Sequence, residues 1–265
     1  MKKVLIIGAN SYIGKKFNLY IQNNYNDLIS VSLVSASSGE WRDTDFSMYD
    51  SVIHLSGIVH QKEKKNLESL YYDVNFKLAV DVAKKAKYSH IRQFILMSSF
   101  AIYDPKDLCI TQDTIPHPIT IYGKSKLAAE NEILQLKNEN FEIAIIRLPM
   151  VYGEGCKGNY PKLACLAKYT PIFPEYHNKR SMIHIDSLCE FLVDIILEEK
   201  YGYFYPQDES YTDTCEMVVN LRKEMGKRTL LTKNFNFLIK LLIPRNKLFN
   251  KMFGDFIFSN EGYEA

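Results

Sequence analysis

The feature that most limits how this chain can fold sits at its start. The apolar run Val4-Leu5-Ile6-Ile7 passes directly into Gly8-Ala9-Asn10-Ser11-Tyr12-Ile13-Gly14, and then into a helix-period stretch, residues 12–23. A strand that ends in a glycine turn and continues as a helix opens a βαβ unit. Such a turn aims backbone N–H groups and the positive end of the helix at an anion such as a pyrophosphate. Glycine spacing alone would be weak evidence, but its place after an N-terminal strand gives it weight.

The first half continues in the same manner. Runs rich in β-branched residues at 3–7, 29–34, 51–56, 93–98 and 142–147 alternate with helix-period segments at 67–87 and 122–137. This predicts an α/β fold, a Rossmann-like doubly wound parallel sheet. Between Val34 and Ser51 the chain is too short for a crossover helix plus another strand, so that unit is expected to be abbreviated around 41–46. After Arg147, glycines and prolines punctuate shorter elements, with helices expected at 160–168, 186–198, 213–225 and 236–242 and a strand near 203–206.

Composition excludes several classes. Thirty-three Lys and Arg against 31 Asp and Glu leave +2, so no global field favours nucleic acid or anionic lipid, and an anionic ligand must be held locally. No apolar run approaches the ~20 residues of a membrane helix. The apolar region after Met1-Lys2-Lys3 is interrupted too early for a signal peptide, which points to a cytoplasmic protein without membrane insertion. Five cysteines are scattered without ligand spacing, which reads as reduced structural thiols and no metal site. Residues 235–258 mix Phe, Leu and Ile with Lys and Arg. Pro244 and Gly254 limit any continuous amphipathic face, so a lid on the smaller domain is preferred to a membrane-surface helix.

Tyr122 and Lys126 lie four apart on one predicted helix face, where an ammonium favours the ionised phenol, and a nearby nicotinamide cation would add to the effect. Ser99, leaving a strand at the same sheet edge, is placed to hydrogen-bond the oxygen that Tyr122 protonates. A Tyr-x-x-x-Lys alone usually marks a solvated helix face. Combined with the glycine turn and the serine pair Ser98-Ser99, in this order, it points to an acid–base centre.

These residues resemble an extended short-chain dehydrogenase/reductase of the NAD-dependent epimerase/dehydratase family, over nearly the whole chain. The motifs that carry the resemblance are the glycine turn, Val52-Ile53-His54-Leu55-Ser56-Gly57, Val74-Asn75, Ser98-Ser99-Phe100-Ala101-Ile102-Tyr103, Tyr122-Gly123-Lys124-Ser125-Lys126, Arg147-Leu148-Pro149-Met150-Val151-Tyr152-Gly153 and Arg180-Ser181-Met182-Ile183-His184-Ile185-Asp186. The resemblance implies an NAD(P)-binding domain over 1–148 that includes the catalytic Ser99, Tyr122 and Lys126, and a smaller nucleotide-sugar-binding region over 149–265. It implies NAD or NADP as cofactor. Gly8, Asn10, Ser11, Tyr12, Ile13 and Gly14 would line the pyrophosphate, and Ser35, Asp45 and Phe46 the adenosine side. Ser56, Gly57, Asn75, Tyr122, Lys126 and Pro149 would complete the cofactor site. Ser99, Lys157, Asn159 and Arg180 would hold a UDP-sugar, Arg180 through its diphosphate. His184 reads as structural. A homodimer through the 67–87 and 122–137 helices is the family expectation.

Departures from the pattern narrow the reading. Ser11 stands where a glycine is usual, and Met150 where many relatives have an asparagine. The end of the second strand, Ser35-Ala36-Ser37-Ser38, offers neither an acid for the NAD ribose nor a nearby Arg for a 2′-phosphate, a slight lean to NADP tolerance. Phe100-Ala101 replaces the Asp-Glu pair that 4,6-dehydration requires, which leaves hydride exchange at C4 of a nucleotide sugar, in the manner of capsule and O-antigen enzymes. The compact C-terminal region favours a 4-ketoreductase of UDP-4-keto-6-deoxy-N-acetylhexosamine narrowly over a UDP-hexose or UDP-N-acetylhexosamine 4-epimerase. A non-catalytic NADP-binding regulator is a third reading, opposed by the joint presence of Ser99, Tyr122 and Lys126.

Overall fold

The protein is described here by a computed structural model covering residues 1–58 and 67–259. In chain order the first elements are β1 (Lys2–Ile7), α1 (Tyr12–Asn24), β2 (Ile29–Val34), β3 (Ser51–His54), α2 (Glu68–Tyr72), α3 (Leu78–Tyr88) and β4 (Gln93–Ser99). There follow β5 (Cys109–Ile110), α4 (Ile121–Leu134), β6 (Glu142–Leu148), β7 (Met150–Tyr152), α5 (Asn159–Tyr169), β8 (Ile172–Pro174) and β9 (Met182–His184). The last are α6 (Ile185–Leu197), β10 (Gly202–Phe204), α7 (Thr214–Glu224), β11 (Leu230–Thr232), α8 (Asn236–Leu242), α9 (Lys247–Phe253) and β12 (Ile257–Phe258).

Six strands form one sheet in the order β10-β6-β4-β3-β1-β2, every pair parallel. Parallel strands covered on both faces must be apolar along their length. Accordingly Val4 to Ile7 and Phe94 to Leu96 are fully buried. Alternate residues feed two cores. Val4, Ile6, Ile53, Ile95 and Ile146 pack with α1 and α6, while Leu5, Ile7, Val52, Phe94 and Ile145 pack with α3 and α4. This is the expected doubly wound architecture.

The β2–β3 connection is abbreviated as expected, built from two single 3-10 turns at Glu40–Arg42 and Phe46–Met48. The helix predicted over 67–87 is instead α2 and α3 joined by a π-helical turn, Asp73–Lys77. The extra residue of the π turn carries Asn75 inward, where its fully buried amide accepts from Ile58 N–H at 2.7 Å and donates to Ser125 Oγ at 3.1 Å. β3 stops at His54, two residues before the predicted end.

The chain divides into two compact units. The first comprises residues 1–104, 116–153 and 183–207, and the second 105–115, 154–182 and 208–265. The expected single boundary at 148 is therefore replaced by a discontinuous one. The reasons are local: α6 buries Leu188, Leu192 and Ile195 in the same core as Phe17 of α1, and β10 extends the sheet by pairing with β6. The second unit has its own core of Phe173, Val218, Ile239 and Phe253, with small parallel pairs β8–β11 and β5–β12. All five cysteines are free thiols.

His54 is fully buried at the end of β3, and neither ring nitrogen has a hydrogen-bond partner. Burial, reinforced by the Lys126 ammonium, holds its pKa down at about 3. The folded ring stays neutral while the unfolded one charges below its ordinary value, so this contribution to stability is complete at neutral pH and is lost as pH falls through 6.5 toward 3. Between pH 7 and pH 5 the loss amounts to roughly 2 kcal/mol. Urea unfolding of His54→Leu at the two pH values should show a pH dependence smaller by about that amount; an unchanged dependence would remove His54 as the acid-sensitive group.

Candidate active site

The glycine turn is shaped by close approach. Gly8 has φ +132°, and a Cβ there would lie 3.1 Å from Ser56 Oγ and 3.2 Å from Leu55 Cβ, so the end of β3 closes directly onto the turn. Ser56 Oγ secures that closure by donating to the Ile7 carbonyl at 3.2 Å. Ser11, in place of the usual glycine, is the N-cap of α1, and its Oγ accepts from Gly14 N–H at 3.0 Å. Ile13 N–H has no partner among the described residues. An orphan N–H at the positive end of a helix fits a phosphate oxygen, so the turn suits the pyrophosphate predicted for it.

At the end of β2, Ser35 and Ser37 hydroxyls pair at 3.1 Å. Asp45 caps the second 3-10 turn, accepting from Ser47 N–H at 3.0 Å and Ser47 Oγ at 2.7 Å, which lowers its pKa. Phe46 departs from expectation: its ring is fully buried in the core beneath Lys85 and is not available to an adenosine. The expectation that no Arg lies near this loop is also corrected. The 3-10 turn brings Arg42 back, stacked over Trp41, with Nη1 3.4 Å from where a Cβ of Gly39 would sit.

The residues predicted to act as the acid–base centre converge on the end of β4. Ser99 closes β4 and accepts from Ala101 N–H at 3.2 Å, and Tyr122, in the first turn of α4, forms a side-chain hydrogen bond with Ser99. Gly123 makes this meeting possible, since a Cβ there would stand 2.0 Å from the Ala101 carbonyl oxygen. Thr120 caps the same helix end, its Oγ1 accepting from Gly123 N–H at 3.0 Å. Lys126 is one turn further on and only 3% exposed.

Electrostatics here differ from the expectation for Tyr122. Burial raises the phenol to about 12, the Ser99 hydrogen bond opposing it and Tyr71 adding to it. Lys126 does not enter and desolvation dominates, so Tyr122 is held as a protonated donor. Burial lowers Lys126 to about 8 against the attraction of Glu130. A buried ammonium with so little compensation suits ribose hydroxyls as acceptors.

Behind these residues lies a network that sequence reasoning did not identify. Glu130, fully buried and one turn beyond Lys126, accepts from Arg147 Nη2 at 2.8 Å and Nε at 3.2 Å, and from Ser98 Oγ. Arg147 Nη1 donates to Tyr103 Oη at 2.7 Å and Tyr205 Oη at 2.8 Å. The four-residue spacing of Lys126 and Glu130 was the available signal.

The sequence profile of the NAD dependent epimerase/dehydratase family matches residues 4–202. The chain belongs to this family. Among its relatives, a UDP-glucose 4-epimerase of Vibrio cholerae is 29% identical over 96% of this chain and 83% of its own length. Two solved structures share the fold. UDP-glucuronic acid 4-epimerase of Bacillus cereus in complex with NAD has a TM-score of 0.72 and 19% identity, covering 87% of this chain and 85% of that one. dTDP-4-dehydrorhamnose reductase of Bacillus anthracis in complex with NADP has a TM-score of 0.71 and 18% identity, covering 89% and 85%.

This epimerase/dehydratase-family protein is an enzyme of the extended short-chain dehydrogenase/reductase type, with NAD or NADP as its cofactor. Ser99, Tyr122, Lys126, Asn75, Pro149 and the residues from Gly8 to Ser56 belong to the first unit, whereas Lys157, Asn159 and Arg180 belong to the second. Lys157 is exposed and Asn159 begins α5. Arg180 Nη1 donates to the Gly254 carbonyl at 2.8 Å and the Asn250 carbonyl at 3.5 Å, so this guanidinium also clasps the C-terminal chain. His184 caps α6, its Nδ1 accepting from Asp186 N–H at 3.3 Å.

Two outcomes follow for this enzyme. Because Lys126 sits below its unfolded pKa, its burial costs stability at neutral pH, and stability is regained as pH rises from about 8 toward 10.5. Lys126→Met should abolish turnover yet raise unfolding stability at pH 7 by ~1–3 kcal/mol, measured in urea; a destabilised variant would contradict the lowered pKa. Arg42→Ala should raise KM for NADPH about tenfold and leave KM for NADH unchanged, and equal effects on both would detach Arg42 from a 2′-phosphate.

Proposed function

We propose that this enzyme is a nucleotide-sugar 4-epimerase, acting on a UDP-hexose or UDP-N-acetylhexosamine. The observation that carries the reading is the Ser99–Tyr122 hydrogen bond at the end of β4, with Lys126 one helical turn away and Phe100-Ala101, not carboxylates, directly after Ser99. The residues after Ser99 are Phe100, 3% exposed, and Ala101, followed by fully buried Ile102. Elimination of a C6 hydroxyl would need an additional acid and base there. Chemistry at C4 needs only one proton carrier.

In this reading Ser99 Oγ holds the C4 oxygen of the sugar, and Tyr122 Oη takes the hydroxyl proton as the C4 hydrogen leaves as hydride. Tyr122 returns the proton when hydride is restored to the opposite face of C4. A bound nicotinamide supplies reversible hydride acceptance at C4. Lys126 binds the ribose hydroxyls through Nζ. Ile13 N–H and the first turn of α1 orient the pyrophosphate. In the second unit, the Arg180 edges not committed to Gly254 and Asn250 would take the sugar-nucleotide diphosphate, with Lys157 and Asn159 contributing.

Epimerisation takes precedence over the 4-ketoreductase reading because the relative that matches 96% of the chain is named a 4-epimerase. The ketoreductase is the second reading, supported by the shared fold of a 4-keto-sugar reductase. Both use the same Tyr122 proton and differ in net redox change: the epimerase ends with the oxidised cofactor it began with, whereas the reductase consumes one reduced cofactor per turnover. A place in surface-polysaccharide synthesis belongs to this proposal as well.

Purified enzyme should interconvert UDP-glucose with its C4 isomer, or UDP-N-acetylglucosamine with its own, without added reductant, as followed by NMR. Tyr122→Phe should lower that rate by ~10²–10⁴-fold. Stoichiometric oxidation of NADH or NADPH by UDP-4-keto-6-deoxy-N-acetylhexosamine, with no isomerisation, would replace the epimerase by the reductase. Unchanged turnover in Tyr122→Phe would sink both.

A further inference from the structure

Acidic residues are missing from one long stretch of the chain. From Met225 to Gly254 there are seven Lys or Arg and no Asp or Glu, in a protein whose totals are 33 and 31. The same stretch contains α8, whose sequence Asn236-Phe237-Leu238-Ile239-Lys240-Leu241-Leu242 is apolar nearly all round. One side is accounted for: Ile239 is 2% exposed in the core of the second unit. The other side is not. Phe237, Leu238 and Leu241 are 80%, 49% and 44% exposed, and at 100° per residue they share an arc of about 100°. Lys240 in the helix and Arg245 in the turn after it are both exposed, Arg245 Nη1 donating to the Leu241 carbonyl at 2.9 Å, and the following helix leaves Leu248 61% exposed beside exposed Lys251.

Large apolar side chains displayed together on a helix are costly in water and mark a surface with an occupant. The surrounding charge identifies it. A protein partner that buried Phe237 and Leu241 would need to match a cationic rim residue by residue. An anionic bilayer supplies negative charge at any lateral position and an apolar layer within about 5–10 Å of the headgroups, the depth at which Phe and Leu side chains insert. The membrane-surface reading set aside on sequence grounds returns here because α8 is short, ends before Pro244 and turns its one buried residue inward. A continuous face longer than two turns is not required when the folded second unit carries the helix.

We propose that α8 and the basic residues around it form a docking surface for an anionic phospholipid bilayer, holding the enzyme reversibly at a membrane face. Phe237, Leu238 and Leu241 insert among the acyl chains near the headgroups, while Lys240 and Arg245 meet lipid phosphates. No segment crosses the bilayer, and among the described residues no helix is long and apolar enough to do so. The attachment is electrostatic and hydrophobic together, so it weakens with salt and with loss of either component. It stands independently of the reaction assigned to the site.

The test uses the full chain and extruded vesicles of phosphatidylcholine alone or with 30 mol% (~30%) phosphatidylglycerol, in a co-sedimentation assay. The protein should sediment with the anionic vesicles at low salt, at least ~10-fold more tightly than with neutral ones, and be released as salt rises. The double variants Phe237→Ser/Leu241→Ser and Lys240→Glu/Arg245→Glu should each lose ~10-fold or more in vesicle affinity, with unfolding midpoints near that of the parent because these side chains are exposed. Absence of sedimentation with anionic vesicles, equal binding to neutral ones, or full binding by both variants would overturn the proposal. So would a dimer in sedimentation velocity that Phe237→Ser/Leu241→Ser dissociates, since the face would then belong to a second copy of the chain.

Discussion

The active-site geometry hangs on the buried ion pair between Arg147 and Glu130. Arg147 belongs to β6, Glu130 to α4, and Ser98, which donates to the same carboxylate, to β4. These three elements carry or adjoin Ser99, Tyr122 and Lys126. A buried pair gains little net energy over an apolar substitute, yet removing one partner strands the other charge in a low dielectric. Its value is therefore in fixing which atoms meet. Two tyrosine hydroxyls on Arg147 Nη1 take both hydrogens of that nitrogen and leave few alternative arrangements.

Three ionisable side chains with different tasks share this small volume. Glu130 is matched by Arg147, Lys126 is only partly compensated by Glu130, and His54 is kept neutral by burial and by Lys126. The result is a site with one mobile positive charge, at the position where a dinucleotide ribose is expected. Tyr122 is driven the other way by the same desolvation. One environment therefore pushes both the Lys126 ammonium and the Tyr122 phenol toward their neutral forms.

Much of this was legible in the sequence because periodicity and turn chemistry are local. The apolar runs at β1, β3, β4 and β6 and the Gly8–Gly14 turn are short-range signals, and Tyr122 and Lys126 are fixed on one face by helix geometry alone. What was hidden depended on distant partners. Asn75 bends its helix into a π turn because Ile58 and Ser125 claim its amide, and Phe46 turns inward because α3 covers it. Arg42 is turned back onto Gly39, just past the end of β2, by a 3-10 turn that carries too few residues to show a period. Helix α9 went unseen because seven residues after a proline and an Asn cap carry too little periodicity to register.

The interleaving of the two units has a consequence for how the molecule must be made. The sheet is not finished when β6 is synthesised: its edge stays open until β10 emerges more than fifty residues later, and α1 lacks its apolar cover until α6 is complete. Residues 154–182 of the intervening stretch, with α5 and β8, belong to the other unit and cannot settle around Val218 and Ile239 until later still. The first unit is complete only once residue 207 has been made, so a nascent chain carries a bare strand edge at β6 until then. A fragment ending at Leu148 inherits that condition permanently, which makes it a poor choice for isolating the dinucleotide-binding half.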